Sequence, residues 1–250
     1  MSKLSPVEFV QLRQRIQALD GSRRAAGVLP FGIAAIDDRL PGGGLALGAL
    51  HEVAGHGDGV VDGAAASLFA AGIAARTTGK VLWCVTQSDL FAPGLAQAGL
   101  SPDRVIHVEA GDEKTLLACC EEALRHGGLG AVVGEVAKLP MLASRRLQLA
   151  AEDHATLCLL VRRWKQVRDA AEFGQPTSAT TRWCVAAAPS APLPVPGIGR
   201  ARWDIELMRC KGGEAARFTV EACDEKGRLA LPAALVHRPA AAQLSLRAAS

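Results

Sequence analysis

The hydrophobic pattern in the middle of the chain alternates short apolar runs with helical stretches. The apolar runs that predict buried strands are "ALHEV", "KVLWCV", "RVIHVE", "LGAVVGEV" and "ATLCLLVRR". An Ala-rich helix is predicted over residues 63–76 and another over "DEKTLLACCEEALRHG", with Leu116, Leu117, Cys120 and Leu124 facing inward. Continuous apolar strands separated by helices are typical of a parallel sheet covered on both faces. The pattern therefore predicts an α/β fold.

The C-terminal third follows a different pattern. The segments "TRWCVAAA", "RWDIELMRC" and "ARFTVEAC" alternate as strands do, and "KGGEA" between the last two predicts a hairpin turn. The proline-rich segment "PSAPLPVPGIGR" cannot be helical and predicts an exposed loop. These segments predict a C-terminal extension of antiparallel strands.

The N-terminus predicts a separate amphipathic helix over residues 6–19. Its apolar positions recur at spacings of three and four: Phe9, Leu12, Ile16 and Leu19. Asp20 and Gly21 end this helix, and "GSRRAAG" is a linker. The stripe either packs on its own domain or docks on another subunit as a helix in a groove. We therefore divide the chain into an N-terminal helix and linker (1–27), a main domain (28–237) and a flexible C-terminal tail (238–250).

Composition supports one main folded domain among the 250 residues, because 49% are hydrophobic and 21% are charged. No apolar run approaches the ~20 residues that a membrane span requires, so we expect a soluble cytoplasmic protein without a membrane partner. The seven cysteines are scattered and show no metal-binding spacing. His51, His56, His107 and His126 are likewise separated. The sequence therefore predicts no metal site and no catalytic acid–base pair.

The segment "AGHGDGVVDG", residues 54–63, stands where a phosphate-binding loop is expected, between an apolar strand and a helix. Such a loop follows the pattern G-x-x-x-x-G-K-S/T, in which the lysine contacts phosphate and the hydroxyl holds Mg²⁺. Gly55, Gly57 and Gly59 are present, but in the frame that begins at Gly55 the final three positions are Val60, Val61 and Asp62. Asp58 and Asp62 would also repel a polyanion. The loop is therefore a degenerate one.

Two further positions of an ATPase site are also altered. Gly134 stands where the strand "GAVVGEVAKL" should carry the metal-binding aspartate, and Glu135, one residue later, is expected to point to the other face of the sheet. Gln87 occupies the place of the general base and cannot take a proton. We therefore expect a pseudo-ATPase with no catalytic residues and no bound nucleotide cofactor.

The segments taken in order resemble the RecA family. The stretch "FGIAAIDDRLPGGGLALGALHEVAG" (residues 31–55) is similar to the entry into the RecA phosphate loop, and the resemblance extends over roughly residues 28–235. It implies a RecA-like, mostly parallel central sheet with helices on both faces. More narrowly, the altered loop with "RWDIELMRCKGG" and "GRLALPAAL" resembles the ImuA family, RecA-like proteins of bacterial damage-inducible mutagenesis cassettes.

That resemblance implies a role in error-prone synthesis past DNA lesions during the SOS response. The implied partners are ImuB, which is a catalytically inactive relative of Y-family polymerases, and RecA or a second copy of this chain. Two alternatives remain: a SulA-like inhibitor of cell division, which belongs to the same degraded lineage, and a DNA-stimulated ATPase.

The resemblance also implies where single-stranded DNA would bind. In RecA, loops after the fourth and fifth strands hold DNA. The first corresponds here to the shortened "AKLPMLASRRLQ" and the second to "RRWKQVRDAAEFGQPTSATTR", where Trp164 and Phe173 could stack on bases. The candidate DNA-binding cations are Arg162, Arg163, Lys165, Arg168, Arg182, Arg200, Arg202, Arg209 and Lys211. The alternative is that these residues form an ordinary solvated face.

Overall fold

The structure is a computed structural model that describes residues 27–57, 59–164, 171–191, 193, 197 and 199–232. The predicted N-terminal helix, including Phe9, Leu12, Ile16 and Leu19, and the predicted C-terminal tail lie outside the described residues. So do Asp58, Lys165 and Arg168.

The strands form one large sheet and one small ribbon. The ribbon pairs β1 (Val28–Leu29) with β2 (Leu45–Ala46). The large sheet contains β3 (Leu50–Gly55), β4 (Val81–Val85), β5 (Val105–Glu109), β6 (Ala131–Val136), β7 (Leu157–Arg162), β8 (Thr181–Ala188), β9 (Arg202–Cys210) and β10 (Ala216–Glu221). Their spatial order is β10-β9-β8-β3-β7-β6-β4-β5. Strands β3 to β8 are parallel, and β9 and β10 are antiparallel additions. The predicted α/β class and the antiparallel extension are confirmed.

Helices cover both faces of this sheet, as predicted. They are α1 (Ala34–Asp37), α2 (Val60–Ala75), α3 (Ala92–Gln97), α4 (Glu113–His126) and α5 (Met141–His154). One face packs against α2, where Phe31, Phe69 and Trp183 have ring centroids 5.5–5.9 Å apart. The other face packs against α4 and α5. Two apolar layers of this kind exclude water from both sides of the sheet.

The inward face of α4 is close to the prediction. Leu116, Cys120 and Leu124 are fully buried, whereas Leu117 is only partly buried at the edge of that layer. The Asp112 side chain accepts a hydrogen bond from the backbone N–H of Thr115 at 2.9 Å, so it caps the first turn of α4. Throughout the described part of the chain, no helix combines the length and the apolarity that a membrane crossing needs.

Candidate functional site

The degenerate loop lies at the carboxyl edge of the parallel strands, between the end of β3 at Gly55 and the start of α2 at Val60. A Cβ atom at Gly55 would lie 2.6 Å from the carbonyl carbon of Asp62, so the loop packs directly on the first turn of α2. Gly57 has a φ of 68°, a left-handed conformation that favours glycine. Both glycines are thus required by the backbone path.

The three altered positions of the loop face different surroundings. Val60 and Val61 are 87% and 68% exposed, so two apolar side chains project into solvent at the beginning of α2. The Asp62 side chain turns toward β8 and accepts a hydrogen bond from the backbone N–H of Ala187 at 2.8 Å. The backbone N–H of His56 donates to the carbonyl of Val185 at 2.9 Å. These contacts fasten the loop to β8.

Two residues that follow β7, Arg163 and Trp164, lie beside the loop. The Trp164 indole N–H donates to the carbonyl oxygen of Gly57. The guanidinium of Arg163 contacts Glu135 at 2.6 Å and Asp89 at 2.8 Å. Hydrogen bonds to Asp89 and the charge of Glu135 raise the pKa of Arg163, so the guanidinium keeps its charge. The positively charged Arg163 guanidinium therefore lies between the carboxylates of Asp89 and Glu135 at the carboxyl edge of the sheet.

The prediction about the faces of β6 is wrong. A Cβ at Gly134 would lie 2.9 Å from Cys120 Sγ and 3.1 Å from Leu116 Cδ2, so Gly134 faces α4, away from the loop. Glu135 lies on the loop side, where it accepts a hydrogen bond from the Trp83 indole at 2.9 Å. Alternation along the strand holds, but the two faces are the reverse of those predicted. Residue 134 faces α4, where the close packing on β6 leaves no room for a side chain.

The carboxylate of Glu135 is therefore present at the site, but it is ion-paired with Arg163 and accepts a hydrogen bond from Trp83. Gln87 lies exposed in the segment after β4, and its carbonyl accepts a hydrogen bond from the N–H of Asp89 at 2.9 Å. Among the residues that the structure describes, no group of three or more His, Cys, Asp or Glu side chains is arranged to hold a metal ion. The residues present here form ion pairs and apolar contacts.

A cavity of about 420 Å³ opens beside the loop, between α2, α3 and the end of β7. Its polar lining residues are Ser67, Asp89, Glu135, Arg162 and Arg163. Most of its remaining wall is apolar: Val60, Leu68, Leu90, Phe91, Leu95 and Trp164. Such a lining is typical of sites that accept apolar groups with a few fixed polar contacts.

A second polar cluster is buried in the sheet face that carries α4 and α5. The carboxylate of Glu52 on β3 contacts Arg162 on β7 at 2.8 Å and Arg182 on β8 at 3.1 Å, and it accepts a hydrogen bond from the Thr177 hydroxyl. Arg162 also donates to the carbonyl of Ala137 at 2.8 Å. Burial lowers the pKa of Arg162, although the neighbouring charge of Glu52 opposes that shift. This cluster joins three adjacent strands.

The prediction that Arg162 and Arg182 contact DNA is wrong for this structure. Their side chains are 1% and 7% exposed and are ion-paired with Glu52. Phe173 is also buried, with the Arg182 guanidinium 5.0 Å from its ring centroid and the Trp164 ring 5.4 Å away. The side chains of Arg162, Phe173 and Arg182 are held in the protein interior and therefore cannot stack on bases or reach phosphates.

The path of residues 171–180 explains why Arg162, Phe173 and Arg182 lie in the interior and not in an exposed DNA-binding loop. The backbone N–H of Ser178 donates to the Ser144 hydroxyl of α5, and that of Thr180 donates to the carbonyl of Leu50 at the start of β3. This segment therefore crosses the sheet face beside α5 and does not project from the carboxyl edge. Because β8 is parallel to β7, the chain has to return to the starting edge of the sheet, and this segment makes that crossing.

The other predicted cations have mixed surroundings. Arg163 is ion-paired with Asp89 and Glu135. Arg200 donates to the carbonyls of Ala222 and Arg228 at 3.0 Å each, and Arg209 donates to the carbonyl of Thr177 at 3.0 Å. Arg202 is partly buried and Lys211 is exposed. DNA contact by these residues stays a prediction.

Asp89, Leu68, Leu90 and Phe91 were not found from the sequence, and the contact between Glu135 and Arg163 was not expected. Asp89, Glu135 and Arg163 belong to three separate segments, so spacing along the chain could not reveal the ion pairs between them. The paired valines at 60 and 61 were a usable signal, because they precede the predicted helix of residues 63–76, where apolar residues have no layer to pack against. The helix in fact begins at Val60.

Comparisons with known proteins agree with the fold. No protein-family model matches the chain. The crystal structure of the RadB recombinase covers 81% of this chain and 99% of its own, with a TM-score of 0.56 and 17% sequence identity, and this likeness shows a RecA-like α/β fold. Protein ImuA from two strains of Caulobacter vibrioides is 39% identical over 212 residues, which is 81% of this chain and 86% of the relative. The chain therefore belongs to the ImuA family.

Proposed function

We propose that this protein is a non-hydrolysing RecA-like accessory protein of damage-induced translesion DNA synthesis, which acts by binding ImuB, RecA or both. The family relationship supports the link to SOS mutagenesis. The observation that carries the non-hydrolysing assignment is that Arg163 occupies the Glu135 carboxylate beside the degenerate loop, while Trp164 donates a hydrogen bond to Gly57 of that loop.

This arrangement opposes nucleotide binding for two reasons. Mg²⁺ would have to compete with Arg163 for the Glu135 carboxylate, and separating a half-buried ion pair leaves a poorly solvated charge. Asp62 adds a negative charge at the helix N-terminus, where an anionic phosphate would otherwise be attracted. At ~4 Å, two like charges repel by about 1 kcal/mol in water and by several kcal/mol at lower effective dielectric. Val61 supplies no compensating charge.

The first prediction concerns hydrolysis. We expect the purified full-length protein to release phosphate from Mg-ATP at the background rate, both with and without single-stranded DNA. A Val61→Lys/Asp62→Thr variant restores the two side chains of the phosphate-loop pattern but leaves Arg163 and Trp164 in place, so we expect it to remain inactive. RecA assayed in parallel is the positive control. DNA-stimulated hydrolysis by the unaltered protein would establish the ATPase alternative and refute the proposal.

The second prediction concerns partners. We expect the full-length protein to co-purify with ImuB or RecA, and we expect a Leu12→Asp/Ile16→Asp variant to lose at least part of that binding, because the substitutions place charges in the predicted apolar stripe. Circular dichroism would verify that the variant retains its fold. If neither partner is retained while overexpression makes cells filamentous, the division-inhibitor alternative replaces this proposal.

A further inference from the structure

The outer face of α5 carries two exposed leucines. Leu142 is 71% exposed and Leu149 is 61% exposed. Because they are seven residues apart, they lie on the same side of the helix, opposite the buried Leu147 and Ala151. Leucines that recur at this spacing on an exposed helix face are typical of a surface that packs against another helix.

Charged side chains lie on either side of Leu149. Arg145 is one turn before it and Asp153 is one turn after it, and both are exposed. Within the described part of the chain, neither Arg145 nor Asp153 forms an ion pair or a side-chain hydrogen bond, whereas the adjacent Arg146 contacts Glu121 at 2.7 Å. The face therefore presents a free positive charge and a free negative charge around an exposed leucine.

This order of charges does not stabilise α5 itself. The last turn of a helix carries a partial negative charge, so acidic residues are unfavourable there. Glu152 and Asp153 both lie in the last turn of α5, where His154 balances at most one of them when it is protonated. Arg145 and Asp153 are eight residues apart, whereas side chains pair along a helix at a spacing of three or four. A partner outside the helix explains this order of charges better.

A second, antiparallel copy of α5 is complementary to these charges. Leu149 lies midway between Arg145 and Asp153, four residues and about 6 Å from each. At 3.6 residues per turn, Arg145 and Asp153 lie about 40° to opposite sides of Leu149. A two-fold axis through Leu149, perpendicular to the helix, therefore sets Arg145 of each copy opposite Asp153 of the other. The same axis brings the two Leu149 side chains into contact.

The charges also select this register over the alternatives. If Leu142 of each copy packed against Leu149 of the other, the axis would pass between Arg145 and Arg146. Four guanidinium groups would then meet at the middle of the contact, and their repulsion opposes it. A parallel pair of helices would set Arg145 against Arg145 and Asp153 against Asp153, which is unfavourable for the same reason. The antiparallel register centred on Leu149 pairs opposite charges.

We infer that the outer face of α5 joins two copies of this chain in an antiparallel, two-fold symmetric contact centred on Leu149. The face is self-complementary, as a two-fold contact requires. A contact made by one pair of helices is small, so the dimer is a weak one that forms as the concentration rises. α5 and α2 cover opposite faces of the sheet, so the contact does not use the residues of the degenerate loop.

Charge reversal tests both the contact and its symmetry. Sedimentation of the full-length protein at low ionic strength, where screening is weak, is expected to show a monomer–dimer equilibrium. Arg145→Asp and Asp153→Arg each replace two attractive pairs with two repulsive ones, so each is expected to weaken self-association at least tenfold. An equimolar mixture of the two variants restores both attractive pairs and is expected to dimerise. A folding defect in either variant could not produce this recovery.

Lys226→Asp is the matched control, because it reverses an exposed charge in the turn after β10. It is expected to change the dissociation constant of the dimer less than twofold, whereas Leu149→Asp is expected to abolish the dimer. Circular dichroism verifies folding of each variant. A protein that stays monomeric at its highest soluble concentration overturns the inference, and so does a dimer that both charge reversals leave intact. A mixture of the two variants that stays monomeric overturns the antiparallel register. If the protein is monomeric and Leu149→Asp instead releases ImuB or RecA, the face binds that partner and the second copy is excluded.

Discussion

Glu52→Gln is expected to lower the free energy of unfolding by about 3–5 kcal/mol, because it removes the carboxylate between two buried guanidinium groups. The guanidinium groups of Arg162 and Arg182 would then lie close together without a counter-ion. Native proteins are stable by only about 5–15 kcal/mol, so this loss is a large part of the total. Urea denaturation at neutral pH, followed by circular dichroism, measures it.

A matched substitution at an exposed ion pair separates the effect of burial from that of charge. Arg217 and Glu206 contact each other at 3.1 Å across β9 and β10, with Arg217 largely exposed. Arg217→Gln is expected to cost at most about 1 kcal/mol, since solvent screens such pairs. Equal losses in Glu52→Gln and Arg217→Gln would contradict the importance assigned to the buried cluster.

Replacing all three charged members with apolar residues extends the same argument. In a Glu52→Leu/Arg162→Met/Arg182→Met variant no unpaired charge remains in the interior, so much of the stability lost in Glu52→Gln should return. The Thr177 hydroxyl, which donates to Glu52, would lose its acceptor and limit the recovery. A triple variant less stable than Glu52→Gln would indicate that the ion pairs themselves stabilise the protein.

The large sheet was predictable from the sequence because the apolar residues of its strands directly indicate which strands are buried. "LCLLVR" in β7 and "AVVGEV" in β6 are covered on both faces, which requires continuous apolar runs. The loss of the phosphate-loop lysine was equally readable, since that residue type must stand at a fixed spacing from the glycines.

The environment of the charged residues was not predictable in the same way. Arg162 and Arg163 are adjacent in sequence, yet one is buried beside Glu52 and the other bridges Asp89 and Glu135. In a strand, neighbouring side chains point to opposite faces, and at the end of β7 the partners of each face come from distant segments. Periodicity gives the alternation but not the face that carries α4, which is why Gly134 and Glu135 were assigned to the wrong sides.

His51 is expected to make the stability of this protein depend on pH below 6.5. Its Nε2 lies 2.9 Å from the carbonyl oxygen of Ala46, so Nε2 carries the proton and donates it. Nδ1 then accepts from the Thr181 hydroxyl at 2.7 Å, and that hydroxyl oxygen accepts from the Trp183 indole at 2.9 Å. This chain of hydrogen bonds fits the neutral imidazole. Burial lowers the pKa of His51 from 6.5 to about 4.

The lowered pKa fixes the direction of the effect. Between pH 6.5 and about 4, the unfolded chain binds a proton at His51 that the folded protein does not bind, so stability falls as the pH falls through this range. A shift of this size corresponds to about 3 kcal/mol in total and to about 2 kcal/mol between pH 7.5 and pH 5. Below pH 4 both states are protonated, and the contribution of His51 to the pH dependence ends.

Urea denaturation of His51→Gln at pH 7.5 and at pH 5 isolates this contribution from that of the carboxylates. The variant should be less stable than the unaltered protein at pH 7.5, since the buried hydrogen bonds are disturbed, but it should lose about 2 kcal/mol less on acidification. His107→Gln, at an exposed histidine on β5, is the matched control. Equal losses on acidification in the unaltered protein and in His51→Gln would mean that His51 becomes protonated within the folded state, and the neutral hydrogen-bonded chain from Trp183 to Ala46 would then be incorrect.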